Sequence, residues 1–234
     1  VGLLDADIYG PSQALMLGVQ GVRPETPDGK SFNPVIAHGV PVMSMAFLLT
    51  ERSPTIWRGP MVSSAFTQML RQTNWGDLDY LVIDLPPGTG DIQLTLSQQV
   101  PVNGAVVVTT PQDIALLDAR RGIEMFRRVE VPVLGIIENM SLHRCSKCGH
   151  AEYLFGEGGG EKIAAEYETE LLGALPLDRS IREQTDIGKP PVISDPDGVI
   201  AQTYRDVARR VGAKLALLAE RDGSGDLIAK TLRS

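Results

Sequence analysis

Short apolar runs recur along the chain, and each is bounded by polar or turn-forming residues. They cover residues 1–4, 80–83, 105–108 and 133–137. Continuous apolar runs of this length are typical of parallel strands that are buried on both faces. Stretches with helical character lie between them, so strand and helix alternate. The sequence therefore predicts an α/β fold, a mainly parallel sheet flanked by helices on both faces.

The clearest predicted helix covers residues 61–73, where apolar side chains recur at positions i, i+3, i+4, i+7 and i+8. Further helices are predicted at residues 91–99, 113–129, 159–167 and 197–220. Residues 35–45 predict a hairpin or two short strands, because Gly39 and Pro41 interrupt the apolar pattern. The turn-rich residues 10–33 predict mostly loop.

Composition limits the classes of function. The 234 residues carry 22 Lys and Arg against 29 Asp and Glu, a net charge of −7, and 43% are hydrophobic. This apolar content suits a single domain, predicted over residues 1–220, with a flexible tail at 221–234. The acidic balance argues against nucleic-acid binding, and no apolar run reaches the ~18–20 residues that span a bilayer. We therefore expect a cytoplasmic protein with neither a membrane nor a nucleic acid as partner.

Polar side chains follow the predicted strands. Asp5 and Asp7 follow the first strand, Asp84 the second and Asn139 the fourth. Ligands of parallel α/β sheets bind at the carboxyl ends of the strands, where carboxylates can hold Mg²⁺ beside a nucleotide. A single Asp at such a position can equally be a strand-end or helix-capping residue. The grouping favours a nucleotide site.

The chain has two cysteines, Cys145 and Cys148, in a Cys-x-x-Cys pattern with His143 and His150 close by. Two thiolates at this spacing can bind one soft metal or cluster but supply only half of a four-thiolate site. The residues leave several alternatives open. They are an intrachain zinc site completed by the two histidines, a cluster shared between two chains, a redox disulfide, and unligated thiols.

Several long motifs together carry a family resemblance. They are VGLLDADIYGPS, WRGPMVSSAFTQML, DYLVIDLPPGTGDIQLT, VVTTPQDIALLD and GIIENMSLHRCSKCGHAEYLFGEGGG. The chain resembles the Mrp family of deviant P-loop ATPases, which are carriers in iron–sulfur cluster assembly, and is more distantly similar to MinD, ParA and nitrogenase iron protein. The resemblance implies a P-loop NTPase fold and an ATP-hydrolysing carrier with Mg²⁺ as cofactor. It also implies a homodimer that binds a [4Fe–4S] cluster between its subunits and transfers it to apo iron–sulfur proteins.

The resemblance also assigns roles to individual residues. Asp7 falls at the switch I position that orients the attacking water, Asp84 at the Walker B position for Mg²⁺, and Gly88 in switch II. The remaining assignments are Asn139 as the adenine contact, Pro176 and Asp178 as lining of the base or ribose, and Cys145 and Cys148 as cluster ligands. Zinc is an alternative occupant of the cysteine site. The pattern does not decide the role of Trp57 and Arg58 in the WRGP motif.

The family's phosphate-binding loop precedes its first strand, and this sequence does not contain it. Because Val1 already lies in a predicted buried strand, we expect that the first strand and the phosphate loop of the fold are missing upstream. Two internal candidates are rejected: Gly29-Lys30-Ser31, which lacks the flanking strand and helix, and residues 156–162, whose Lys has the wrong neighbours. The rival hypothesis is therefore a non-catalytic metal-binding or interaction module without a working ATP site.

Overall fold

The computed structural model describes residues 1–48, 59–88 and 100–222. The described strands are β1 (Gly2–Asp5), β2 (Val35–Ala37), β3 (Val40–Ser44), β4 (Leu81–Asp84), β5 (Ala105–Thr109), β6 (Val133–Glu138), β7 (His143–Arg144), β8 (Ala151–Glu152) and β9 (Leu171–Ala174). The described α-helices are α1 (Gln13–Met16), α2 (Gly59–Arg71), α3 (Asp113–Arg128), α4 (Gly159–Glu166), α5 (Arg179–Asp186), α6 (Pro191–Ser194) and α7 (Val199–Asp222). The chain divides into two compact units with boundaries after residues 99, 181 and 194, and the second of these boundaries lies within α5.

Unit 1 comprises Val1–Gln99 and Arg182–Ser194. Its sheet has the strand order β2-β3-β1-β4, and β1 runs parallel to both β3 and β4. The strands β2 and β3 form an antiparallel hairpin around His38 and Gly39, which both have positive φ, as a tight hairpin turn requires. Buried side chains from β1, β3 and α2 form its core, among them Leu4, Val42, Met43, Phe66 and Met69.

Unit 2 comprises Val100–Ile181 and Asp195–Ser234. Its main sheet has the order β5-β6-β9 and is parallel throughout, and β7 and β8 form a separate antiparallel hairpin. The helices α3 and α4 pack on β5 and β6 through a cluster of buried apolar residues that includes Val107, Leu116, Ile123, Ile136 and Ile163. The mainly parallel sheet of unit 1 and the parallel sheet of unit 2, with their helices, confirm the predicted fold class.

The predicted strands and the helices that begin at residues 59, 113, 159 and 199 agree with the structure within a few residues. The predicted helix at 91–99 lies outside the described residues, as do Trp57 and Arg58. The last helix continues to Asp222, past the predicted start of the tail, and residues 223–234 are not described. The single domain stays a prediction. Across the described part of the chain, no helix combines the length and apolarity needed to cross a membrane.

Candidate functional site

The register of the unit 1 sheet places three polar residues side by side. Asp5 pairs with Ser44 across β1 and β3, and with Asp84 across β1 and β4. Each of these residues is the last of its strand. All three strands are parallel, so their carboxyl ends meet at one edge of the sheet, as expected from the sequence.

Asp5 is fully buried and is held by three hydrogen bonds. Its Oδ2 accepts from the Ser44 hydroxyl (2.8 Å) and from the backbone N–H of Gln13 (3.2 Å), and its Oδ1 accepts from the backbone N–H of Asp7 (3.2 Å). Burial raises the pKa of Asp5, and these hydrogen bonds oppose the rise by favouring the ionised form. Because two of these bonds come from the loop that follows it and the third comes from β3, Asp5 anchors residues 5–13 to the sheet.

Asp7 and Asp84 are the other two carboxylates at this edge of the sheet. Asp7 closes a tight turn, in which its Oδ1 accepts from the backbone N–H groups of Tyr9 (3.0 Å) and Gly10 (3.2 Å). The Oδ2 of Asp84 accepts from Nε2 of Gln13 at 2.7 Å. Burial raises the pKa of Asp84, the Gln13 bond lowers it, and the nearby charge of Asp7 raises it again.

Asp7 and Asp84 could bind a cation whose remaining coordination positions are filled by other ligands. The described residues contain no group of three or more His, Cys, Asp and Glu side chains arranged to hold a metal. Mg²⁺ usually takes one or two protein carboxylates and fills its remaining positions with water and substrate phosphates. Asp84 therefore fits the predicted Mg²⁺ role. Gly88, four residues further on, is exposed and has φ +97°, a conformation that glycine adopts without strain.

Unit 2 carries the other predicted contacts. The backbone N–H of Asn139 donates to the Thr109 carbonyl (2.7 Å), and its side-chain Oδ1 accepts from the backbone N–H of Met140 (2.9 Å). This leaves the amide NH₂ group of Asn139 as a donor. The Oδ1 of Asp178 accepts from the N–H (2.8 Å) and hydroxyl (2.6 Å) of Ser180, so Asp178 caps α5.

Residues 175–178, here called the base segment, contain Pro176 and Asp178 and lie beside the chain that follows β6. Ser141 donates to the Leu175 carbonyl through both its backbone N–H (2.9 Å) and its hydroxyl (3.0 Å). The structure thus places the base segment next to the segment that begins with Asn139. Their contacts with a nucleotide remain predictions, as do those of Asp7, Asp84 and Gly88.

The two cysteines lie in the turn of the hairpin formed by β7 and β8, residues 143–152, here called the cysteine hairpin. The Cys145 N–H donates to the His150 carbonyl, and the Gly149 N–H donates to the Cys145 carbonyl, both at 2.8 Å. Hydrogen bonds from the backbone N–H groups of Cys148 and Lys147 and from the Cys148 thiol lower the pKa of Cys145. A lowered pKa favours the thiolate, the form that binds soft metals.

The described structure does not group the histidines with the cysteines. The Nδ1–H of His143 donates to the Leu177 carbonyl at 3.0 Å, and within the described residues no Cys and His side chains are grouped to hold a metal. Cys148 is exposed, Cys145 is partly exposed, and neither is in a disulfide. Two thiols near the surface could bind a metal or cluster whose other ligands come from outside the chain.

In both segments that were rejected as phosphate loops, backbone N–H groups already donate to a carboxyl group of the chain itself. The Oδ1 of Asp28 accepts from the backbone N–H groups of Ser31 (2.6 Å) and Lys30 (2.9 Å), which lower the pKa of Asp28 to about 2. At the start of α4, the Gly160 N–H donates to Oε2 of buried Glu138 at 2.6 Å. A phosphate at either place would have to displace a carboxyl group of the chain. The sequence prediction missed the role of Glu138, although a carboxylate at a strand end before a glycine-rich helix start is a usable signal.

Comparison with solved structures defines the class of protein. The nucleotide-binding protein from Archaeoglobus fulgidus, solved in complex with ADP, superposes with a TM-score of 0.72 and 35% identity over 87% of this chain and 78% of that one. The cell division ATPase MinD from Pyrococcus furiosus shares the fold, with a TM-score of 0.62 at 19% identity over 90% of this chain and 85% of that one. The fold is that of the MinD/ParA-like P-loop NTPases.

Sequence comparison then gives the family. The profile of the ParA-type family described as NUBPL iron-transfer P-loop NTPase matches residues 1–212, and the chain belongs to this family. The "Iron-sulfur cluster carrier protein" of Pseudomonas fragi is 63% identical over 216 residues, 92% of this chain and 75% of that protein. The protein of the same name from Escherichia coli K12 is 59% identical, and the match covers 92% of this chain but only 58% of the relative's length. The family resemblance predicted from the motifs is confirmed.

Proposed function

We propose that this protein is an ATP-dependent carrier that holds a [4Fe–4S] cluster between two identical subunits and delivers it to apo iron–sulfur proteins. The observation that carries the proposal is the cysteine hairpin. Its backbone N–H groups favour the Cys145 thiolate, and the sequence offers only Cys145 and Cys148 as thiolate ligands. With Cys145 and Cys148 as the ligands from each chain, a cluster with four thiolate ligands takes a second chain, and a symmetric pair of hairpins supplies them.

The strand edge of unit 1 supports the nucleotide part of the proposal. Asp84 would hold Mg²⁺, which neutralises phosphate charge when it is bound. Asp7 lies near enough for its charge to raise the pKa of Asp84, and in our proposal it orients the attacking water. Gly88 allows the backbone to approach the phosphates.

In unit 2, the free amide NH₂ of Asn139 would donate to the adenine ring. Pro176 and the uncommitted oxygen of Asp178 would contact the base or ribose. The adjacency of the base segment and the Asn139 segment, held by the Ser141 bonds, supports this assignment.

Iron stoichiometry tests the carrier function. Reconstitution of the complete protein under anaerobic conditions should give about two iron atoms per subunit, because one four-iron cluster serves two chains. The Cys145→Ser and Cys148→Ser variants should lose the iron. The matched control is His150→Ala, which alters the same hairpin and should retain it. One zinc per monomer that is lost in His150→Ala would contradict the proposal.

A further inference from the structure

Two segments of unit 2 continue to pair after their strands end. The parallel strands β6 and β9 are in register at Glu138 and Ala174. Beyond them, the Leu175 N–H donates to the Glu138 carbonyl (2.8 Å), and the Leu177 N–H donates to the Leu142 carbonyl (2.9 Å). The base segment and the chain that leads into the cysteine hairpin therefore form one hydrogen-bonded ribbon.

His143 lies where this ribbon meets the hairpin. It is the first residue of β7 and pairs with Glu152 of β8, while its other side forms a parallel bridge with Leu177. Its Nδ1 lies 3.0 Å from the Leu177 carbonyl oxygen. A carbonyl can only accept, so Nδ1 carries the proton and the ring is fixed against the base segment. Cys145 follows two residues later.

We propose that His143 is a positioning residue that couples the base segment to the cysteine hairpin, so that a bound nucleotide changes the exposure of Cys145 and Cys148. The inference rests on the proposed function for the nucleotide site, but it does not require a cluster to be present. Its physical basis is a continuous set of hydrogen bonds, with the His143 ring as the only described side-chain link between Leu177 and the hairpin. A shift of the base segment then moves the first residue of β7 directly.

The structure suggests variants that separate coupling from folding. His143→Phe keeps a ring of similar size and removes the donor, while the backbone bond between Leu177 and Leu142 remains. His143→Asn restores a donor, because its amide nitrogen takes nearly the place of Nδ1. His150→Phe is the matched control, since His150 is exposed in the same hairpin and only its backbone carbonyl has a partner there.

The experiment measures the alkylation rate of the two thiols by iodoacetamide in the complete, cluster-free protein, with and without Mg-ADP. In the wild type, Mg-ADP should change this rate by at least about fivefold, the lower range of typical coupling between sites. In His143→Phe the change should fall by more than half, because only backbone bonds then join the base segment to the hairpin, while the dissociation constant for Mg-ADP stays the same. His143→Asn should recover most of the change, and His150→Phe should behave as the wild type.

An undiminished nucleotide effect in His143→Phe would overturn the inference, as would a wild type that binds Mg-ADP without any change in thiol reactivity. A general loss of folding would show as an altered dissociation constant in both position-143 variants and would also count against a specific coupling role. Failure of the proposed function gives a different result. In that case the thiols respond to the nucleotide through His143, yet reconstitution gives no iron.

Discussion

Asp5 and Asp84, which are paired across β1 and β4 in unit 1, differ in burial and in the hydrogen bonds that they accept. Asp5 is fully buried and accepts from Ser44 and from two backbone N–H groups, whereas partly buried Asp84 accepts one described side-chain bond, from Gln13. The first is committed to holding the loop, and the second keeps oxygen lone pairs for a ligand. The number of internal partners thus separates the structural carboxylate, Asp5, from Asp84, which we propose as the Mg²⁺ ligand.

This difference predicts a pH-dependent effect of Ser44→Ala. Loss of the hydroxyl should destabilise the protein by about 1–3 kcal/mol at neutral pH, because the buried Asp5 carboxyl group loses a donor. The pKa of Asp5 is already above its usual 3.8 because of burial, and the Ser44 bond is the largest influence that lowers it. Its pKa should therefore rise further in the variant. The difference in unfolding free energy between the wild type and Ser44→Ala is then largest at pH values above the Asp5 pKa of the folded variant. It decreases as the pH falls through the Asp5 pKa of the folded variant and then that of the folded wild type.

Urea unfolding of both proteins between pH 7 and pH 4 measures this difference. Part of the loss should persist at all pH values, because Ser44 also accepts from the Ala46 N–H. The matched control is Ser141→Ala, whose buried hydroxyl donates to a neutral carbonyl, so that its cost of about 0.5–1.5 kcal/mol should not vary with pH. Equal pH profiles for the two variants would refute the prediction.

Asp84→Asn should separate activity from stability. The Gln13 amide can still donate to the Asn oxygen, and removal of a partly buried charge relieves the desolvation that raises the Asp84 pKa. The fold should survive, while Mg²⁺-dependent ATP hydrolysis by the complete protein falls at least tenfold, about 1.4 kcal/mol in barrier height. Steady-state hydrolysis and unfolding midpoints are the measurements. Asp118→Asn, at an exposed surface pair with Arg121, should change neither, and wild-type turnover in Asp84→Asn would exclude the Mg²⁺ role.

At the scale of elements, the sequence predicts strands with continuous apolar runs and helices with a clear period well, and elements that show neither pattern poorly. The strands β1, β5 and β6 and the helix α3 were found because continuous apolar runs and helical periodicity report burial directly. The two-residue strands of the cysteine hairpin are too short to show any period, and β9 is short and contains Gly173.

The candidate site shows the same limit. Of the side chains that follow predicted strands, Asp5 and Asp84 lie side by side at one sheet edge, whereas Asn139 follows β6 in the other sheet. The anchoring role of Asp5 depends on its register with Ser44 and Asp84, which lie in strands distant in sequence. Such pairings are fixed by tertiary packing, which local patterns do not encode. The capping role of Asp178, by contrast, had a local signal, an Asp directly before a helix start.

The contact between β6 and α4 predicts opposite effects for two helical glycines. A Cβ at Gly160 would lie 2.9 Å from the Glu138 Cβ and 2.9 Å from Leu171 Cδ1, whereas a Cβ at Gly122 in α3 would meet nothing within 4 Å. Gly160→Ala should therefore destabilise the protein by about 1–3 kcal/mol through overpacking. Gly122→Ala should stabilise it by about 0.5–1 kcal/mol, because alanine loses less backbone entropy in a helix. Chemical denaturation of both variants tests the pair, and a stable Gly160→Ala would mean that α4 does not pack against β6 as described.

At the scale of the whole molecule, the proposed carrier function links cluster binding to assembly through the number of cysteines. Cys145 and Cys148 are the only cysteines in the sequence, so a bridged cluster exists only while two chains are associated. The association is bimolecular and the stability of the cluster must therefore depend on subunit concentration. A metal bound within one chain would show no such dependence.

Dilution of the reconstituted, nucleotide-free protein should therefore release iron and dissociate the dimer over the same concentration range. Sedimentation velocity measures the dimer fraction, and iron analysis of matched samples measures the bound iron. Nucleotide is left out so that dimers driven by nucleotide binding do not contribute. The His150→Ala variant should follow the wild-type curve, because the bridged site uses no imidazole. Cys148→Ser should be monomeric and iron-free throughout. Monomers that retain their iron on dilution would contradict the bridged arrangement and locate the metal within a single chain.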